Sequence, residues 1–132
     1  MPWLPIRLTP GLDLRPALET VAAQQPTGSV FVVSGIGSLE GASLRYAGDA
    51  TETWIAGPLE ILNVSGTLCP SGAHLHMTVS DASGRVYGGH LGHGNTIRTT
   101  AEILLAVLHE WSLTREHDAA TGFDELLVRP RA

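Results

Sequence analysis

The chain has 132 residues, 43% hydrophobic and 16% charged, with a formal net charge of −5, so it is long enough to bury a core without disulfides or a structural metal. All eight basic residues are arginine, they do not cluster, and the acidic balance gives no whole-chain attraction for a phosphate backbone. The lone Cys69 excludes an internal disulfide framework and a cysteine-based zinc knuckle, which fits a reducing compartment.

In chain order, MPWLPIRLTP has neither a charged leader nor a signal-length apolar core, and no uninterrupted apolar run is long enough to span a membrane. A soluble, cytoplasmic protein is expected, folded as one domain over residues 1–132. GLDLRPALETVAAQQP reads as a helix capped by Asp13, with Leu14, Leu18, Val21 and Ala22 on one face and Pro26 ending it. The rest looks like strand: SVFVVSGIGS, SLRYAG, TETWIAG, LEILNVSGTL, AHLHMTVS and RVYGGHL follow at short intervals, parted by turn residues. AEILLAVLHEW fits a buried strand or a helix, and its alanines and leucines favour helix on propensity. The tail HDAATGFDELLV ends in one more short strand. The expected class is α+β, a mixed or antiparallel sheet or sandwich with one main N-terminal helix packed on it.

Several of these pieces together resemble the plants-and-prokaryotes conserved (PPC) domain family: LTPGLDLRPALETVA, VVSGIGSLEGASLRYA, GPLEILNVSGTL and GRVYGGHLGHGNTIRTTAEILL. The resemblance covers nearly the whole chain. It implies a PPC-like, trimer-forming fold in which AEILLAVLHEW is largely strand. Plant relatives bind DNA through a preceding AT-hook, which this sequence lacks, and prokaryotic relatives are often labelled DNA-binding on similarity alone. Where the plant central motif carries a charged residue, this chain has Pro58 and Leu59, so partner contacts made there in plants do not carry over.

Residues 73 to 94 hold four of the six histidines. In AHLHMTVS the odd positions Leu75, Met77 and Val79 are apolar while His74, His76, Thr78 and Ser80 are polar, so His74 and His76 share a face. If Asp81 pairs with Arg85 across a three-residue loop, with Gly84 in the left-handed conformation, His76 lies directly opposite His90. The same register sets Tyr87 against Val79 and Leu91 against Leu75, leaves Val86 on the polar face, and puts side-chain-free Gly88 beside the cluster. Three neutral imidazoles suit zinc or another late divalent metal and leave a fourth position for water or a small-molecule ligand. Against this stands the plain alternative of a solvated polar face. In prokaryotic relatives this histidine pattern looks like a metal site, which favours His74, His76 and His90 as ligands.

His93 is expected to point away, and His109 and His117 have no local constellation. SGIGSLEG is not a dinucleotide loop, because Glu40 stands where the third glycine belongs and no helix follows; its glycines are read as turn residues. Glu60 and Glu102 sit in apolar runs, and as buried carboxylates they would need partners, at a subunit interface or beside a metal-ligating histidine. The leading expectation is a homotrimeric binding or regulatory module with a three-histidine zinc site. The alternatives are a DNA-associated protein and a metal-dependent hydrolase or lyase using metal-bound water; the sequence alone does not decide whether the chain is an enzyme.

Overall fold

Asp13 stands at the N-cap of the helix with extended backbone angles, and its carbonyl accepts the Ala17 N–H at 3.1 Å. Its side chain does not cap. A capping carboxylate takes the N–H of the second or third helical residue, and the third is Pro16, which has none. The carboxylate instead accepts the Gly94 and Asn95 N–H groups at 2.8 and 3.0 Å, tying the helix start to a distant loop. Leu14, Leu18 and Ala22 are buried and Val21 partly so, as the apolar stripe requires.

These details come from a computed structural model that describes residues 2–131. The elements run β1 (Trp3–Leu8), α1 (Leu14–Ala23), β2 (Val30–Arg45), β3 (Thr53–Cys69), β4 (Gly72–Ser80), β5 (Val86–Leu91), β6 (Ile97–Val107), β7 (Trp111–Asp118) and β8 (Phe123–Pro130). One helix and a predominantly antiparallel sheet match the expected α+β class. The sheet is neither mixed nor an open sandwich: every strand pairing is antiparallel, and the six-stranded order β1-β6-β2-β3-β4-β5 closes on itself because β5 also pairs with β2. β7 and β8 form a separate hairpin, held to the main sheet by the Leu113 N–H donating to Ser29 Oγ at 3.0 Å.

Two expectations about strand length are corrected. SVFVVSGIGS and SLRYAG are one 16-residue strand, β2, and TETWIAG and LEILNVSGTL are one 17-residue strand, β3. The glycines of SGIGSLEG therefore make no turn; they let neighbouring strands approach. A Cβ at Gly37 would press into the Thr100 backbone, and one at Gly35 would meet Val64 and Ile103 side chains at 2.7 and 2.8 Å. β6 is strand, as the family resemblance implies and against local propensity. Ala101, Ile103, Leu105 and Val107 alternate into the core, and pairing to both β1 and β2 overrides the modest helical preference of the segment.

Closure depends on a second close approach. A Cβ on Gly89 would lie 2.8 Å from the Arg45 carbonyl oxygen, whereas one on Gly88 meets nothing nearer than 3.6 Å. Gly89→Ala should therefore destabilise the fold by roughly 1–3 kcal/mol through overpacking, while Gly88→Ala should be neutral or slightly stabilising. Chemical denaturation of the two variants checks this. Leu18→Ala empties a fully buried core position and should cost about 2–5 kcal/mol in the same measurement.

Candidate metal centre

The β4–β5 turn sets the site. Asp81 donates its N–H to the Arg85 carbonyl at 2.9 Å, Gly84 donates to the Asp81 carbonyl at 3.0 Å, and Gly84 has φ +83°, the left-handed conformation a glycine adopts without strain. The Asp81 carboxylate accepts the Ser83 hydroxyl at 2.8 Å and the Ser83 and Arg85 N–H groups at 2.9 Å each. Those bonds, the Ser83 hydroxyl foremost, hold its carboxyl below the usual value. The register that follows pairs His76 with His90, Thr78 with Gly88 and Val79 with Tyr87. The expected pairing of Leu75 with Leu91 does not form: the β4–β5 ladder ends at His76, and Leu91 pairs with Leu44 of β2. Both leucines are nevertheless buried in the core.

His74, His76 and His90 come together on the exposed side of this hairpin, with one ring nitrogen from each lying within 4.8 Å of the others. Ring centroids are 4.7 Å apart for His76 and His90, 5.0 Å for His74 and His76, and 5.6 Å for His74 and His90, so His76 is the central member. Tetrahedral zinc needs donors about 3.3 Å apart, so the rings would draw closer on binding it. Burial, followed by the Arg115 guanidinium and the His76 ring, holds His74 below its ordinary 6.5 against the opposing Glu125; burial, followed by Arg45 and the other two rings, does the same for His90. Neutral imidazole is the form a metal binds. The donor set thus fits a divalent ion of the zinc type.

His93 is exposed in the loop after β5 and outside the cluster, as expected, and His109 and His117 are exposed elsewhere. Within the chain Glu60 and Glu102 are not buried, and partners at a subunit interface lie outside what one chain shows. Both are exposed on the outer sheet surface, near Ile36, Leu62 and Arg98, because their runs alternate inward leucines and isoleucines with outward positions. Neither borders the histidines. Three residues that local pattern did not single out do. Arg45 is the cross-strand partner of His90 on β2. Arg115 on β7 donates to Thr67 Oγ1 at 2.7 Å, and Thr67 is paired with His74. Glu125 lies on β8. With His74 and His90 they line an open cleft of about 780 Å³.

A closed antiparallel sheet with one helix and an exposed trio of histidines defines a small β-domain bearing a candidate metal centre. The model of the Plants and Prokaryotes Conserved (PCC) domain matches residues 3–109, and the chain belongs to that family, the one abbreviated PPC above. It is 50% identical over 128 residues to the bifunctional protein GlmU of a Synechococcus strain, a match covering 97% of this chain and 20% of that protein. The chain therefore spans about a fifth of the length of the curated relatives it matches. A hypothetical protein from Salmonella enterica is 35% identical, with TM-score 0.94, over 98% of this chain and 94% of that one. A metal-containing protein from Archaeoglobus fulgidus is 26% identical, with TM-score 0.80, over 95% and 92%. A candidate DNA-binding protein from Bacteroides thetaiotaomicron, 19% identical with TM-score 0.83 over 96% and 91%, shares the fold. Among the described residues no helix is long and apolar enough to cross a membrane.

In the metal-free protein, His74 and His90 should titrate below pH 6.5. The unfolded chain takes up these protons near 6.5 and the folded chain only lower, so the unfolded state binds more protons in between and stability should fall as the pH drops through that interval. NMR titration of the ring protons and denaturation at pH 7 and pH 5 check the direction.

Proposed function

We propose that residues 1–132 form a single PPC-type domain, a binding or regulatory module that assembles as a homotrimer and holds a divalent metal ion, zinc by donor chemistry, on His74, His76 and His90. The observation that carries this reading is the convergence of three imidazole donors within 4.8 Å on an exposed face. The likeness to a metal-containing protein supports it. When bound, the ion supplies a Lewis-acidic position open to solvent or a small ligand; the chain's own residues orient the rings and admit the ligand through the cleft. A bifunctional protein that carries a half-identical segment as a fifth of its length fits an accessory module. The hydrolase or lyase alternative is weakened, since Glu60 and Glu102, its candidate bases, lie away from the cluster. DNA association is weakened by the charge of −5.

Trimer formation rests on the outer sheet surface. Sheet closure leaves β1 as an edge of the main sheet, and its Pro5 lacks the N–H that an added strand would pair with, so the sheet's face rather than this edge is what assembly would cover. Phe31, Val33, Ile36 and Leu62 instead stand exposed on β2 and β3, interspersed with Glu60, Glu102 and Arg98, which form no ion pair within the described residues. Apolar side chains with unpaired charges of both signs suit contact with a second copy. Light scattering should give a mass near three times 14.0 kDa, and Ile36→Glu should shift it towards monomer. A monomeric wild type at micromolar concentration defeats the trimer.

For the metal, elemental analysis and zinc titration of the purified protein should give about one ion per chain. His76→Ala should weaken binding most, by more than the roughly 10–100-fold that loss of an outer-shell partner costs. His93→Ala should change it little. A wild type that takes no metal sinks this reading and leaves the cluster a polar face.

A further inference from the structure

The histidine cluster sits between two guanidiniums. Arg45 flanks His90 from β2, and Arg115 reaches the His74 side from the β7–β8 hairpin, through Thr67. Arg45 donates to the Asp49 carbonyl at 3.0 Å, and neither arginine has a carboxylate within ion-pair distance among the described residues. Each of these five-donor groups keeps N–H donors to spare. Arg15 also lines the cleft, and so do four carboxylates, Asp49, Glu52, Asp124 and Glu125; Asp49 accepts from the Thr51 N–H at 3.2 Å, and Asp124 faces His117 at 4.0 Å. Glu125 opposes Arg115 at His74, and less strongly. A divalent ion on three neutral rings would add two positive charges and turn this near-balance positive.

We propose that the cleft takes a small multivalent anion, a phosphate or a dicarboxylate, held by Arg45 and Arg115 beside the three histidines. Planar guanidiniums match the paired oxygens of such groups. The anion offsets the positive charge that the ion would bring beside the arginines, and an open cleft of about 780 Å³ admits it. This inference rests on the metal reading for the positive excess, while the two guanidiniums, free of ion pairs among the described residues, stand independently of it.

Inorganic phosphate and succinate, titrated calorimetrically at pH 7.5 into the full chain with and without one equivalent of zinc, test it. Saturable binding of at least one anion is expected, tighter with zinc. A phosphate-only response assigns the phosphate class, and a succinate-only response the dicarboxylate class. Arg45→Gln and Arg115→Gln should each lower anion affinity at least tenfold, and Arg115→Lys should restore part of it. Arg98→Gln, on the outer sheet surface, should leave it unchanged. Because Arg115 also contacts Thr67, thermal melts accompany each variant, and Arg45→Gln decides the matter should Arg115→Gln fail to fold. Zinc bound at one per chain with no response to either anion, or anion affinity indifferent to Arg45→Gln, overturns the inference and leaves the metal reading intact. Arginine-dependent anion binding by a protein that takes no zinc supports the inference and sinks the metal reading.

Discussion

Closure of the sheet through β5 is the constraint on which the site depends. β5 is six residues long and hydrogen-bonds on both sides, to β4 and to β2. It fits because Gly89 presents only hydrogen to the Arg45 carbonyl. One strand thereby does two things: it removes an edge from the sheet, and it sets His90 between His76 on one neighbour and Arg45 on the other. Side chains alternate faces along a strand, so a slip of one residue would send His90 into the core and Leu91 to solvent. The Asp81 turn prevents that slip by fixing where the hairpin begins.

Electrostatics follow from the same geometry. His74 and His90, packed against the His76 ring and flanked by guanidiniums, resist protonation for additive reasons: burial disfavours the charged form, and Arg115, Arg45 and the neighbouring rings outweigh Glu125, which opposes them at His74. The arrangement would keep the candidate donors free for a metal. It would also work against holding a cation, since the arginines would repel an ion placed on the rings. Charge of opposite sign brought in by a ligand relieves that tension without altering the rings, which is why the metal and anion readings reinforce one another.

What the sequence disclosed depended on range. The hairpin register was legible because the turn residues, the alternation in AHLHMTVS and the facing histidine all lie within some twenty residues. AEILLAVLHEW was not, from its own residues, because its strand state is imposed by β1 and β2 from the far end of the chain. Glu60 and Glu102 show a related limit: an apolar run reads as buried on both faces, yet within one chain its outward positions, with Leu62 exposed beside them, lie on the surface. Asp13 looked like a cap until Pro16 and the Gly94–Asn95 loop are considered together. Arg115 and Glu125 carried no local signal at all, since what matters is a contact 48 residues away, from Arg115 to Thr67.

The division of labour across the molecule bears on how such a domain is used. All three candidate metal donors come from one hairpin, and the flanking charges come from β2 and the terminal hairpin. The exposed apolar surface around Ile36, Leu62, Glu60, Glu102 and Arg98 shares no residue with the histidine cleft. Assembly through that surface would therefore leave the cleft open, and a ligand in the cleft would not compete directly with assembly. A unit so arranged can be attached to another protein, as the half-identical stretch of a bifunctional relative is, and retain its binding site. Coupling between ligand and assembly would pass through β2, which carries Ile36 on the outer surface and Arg45 at the cleft, or through β3, which carries Leu62 on that surface and Thr67 beside His74.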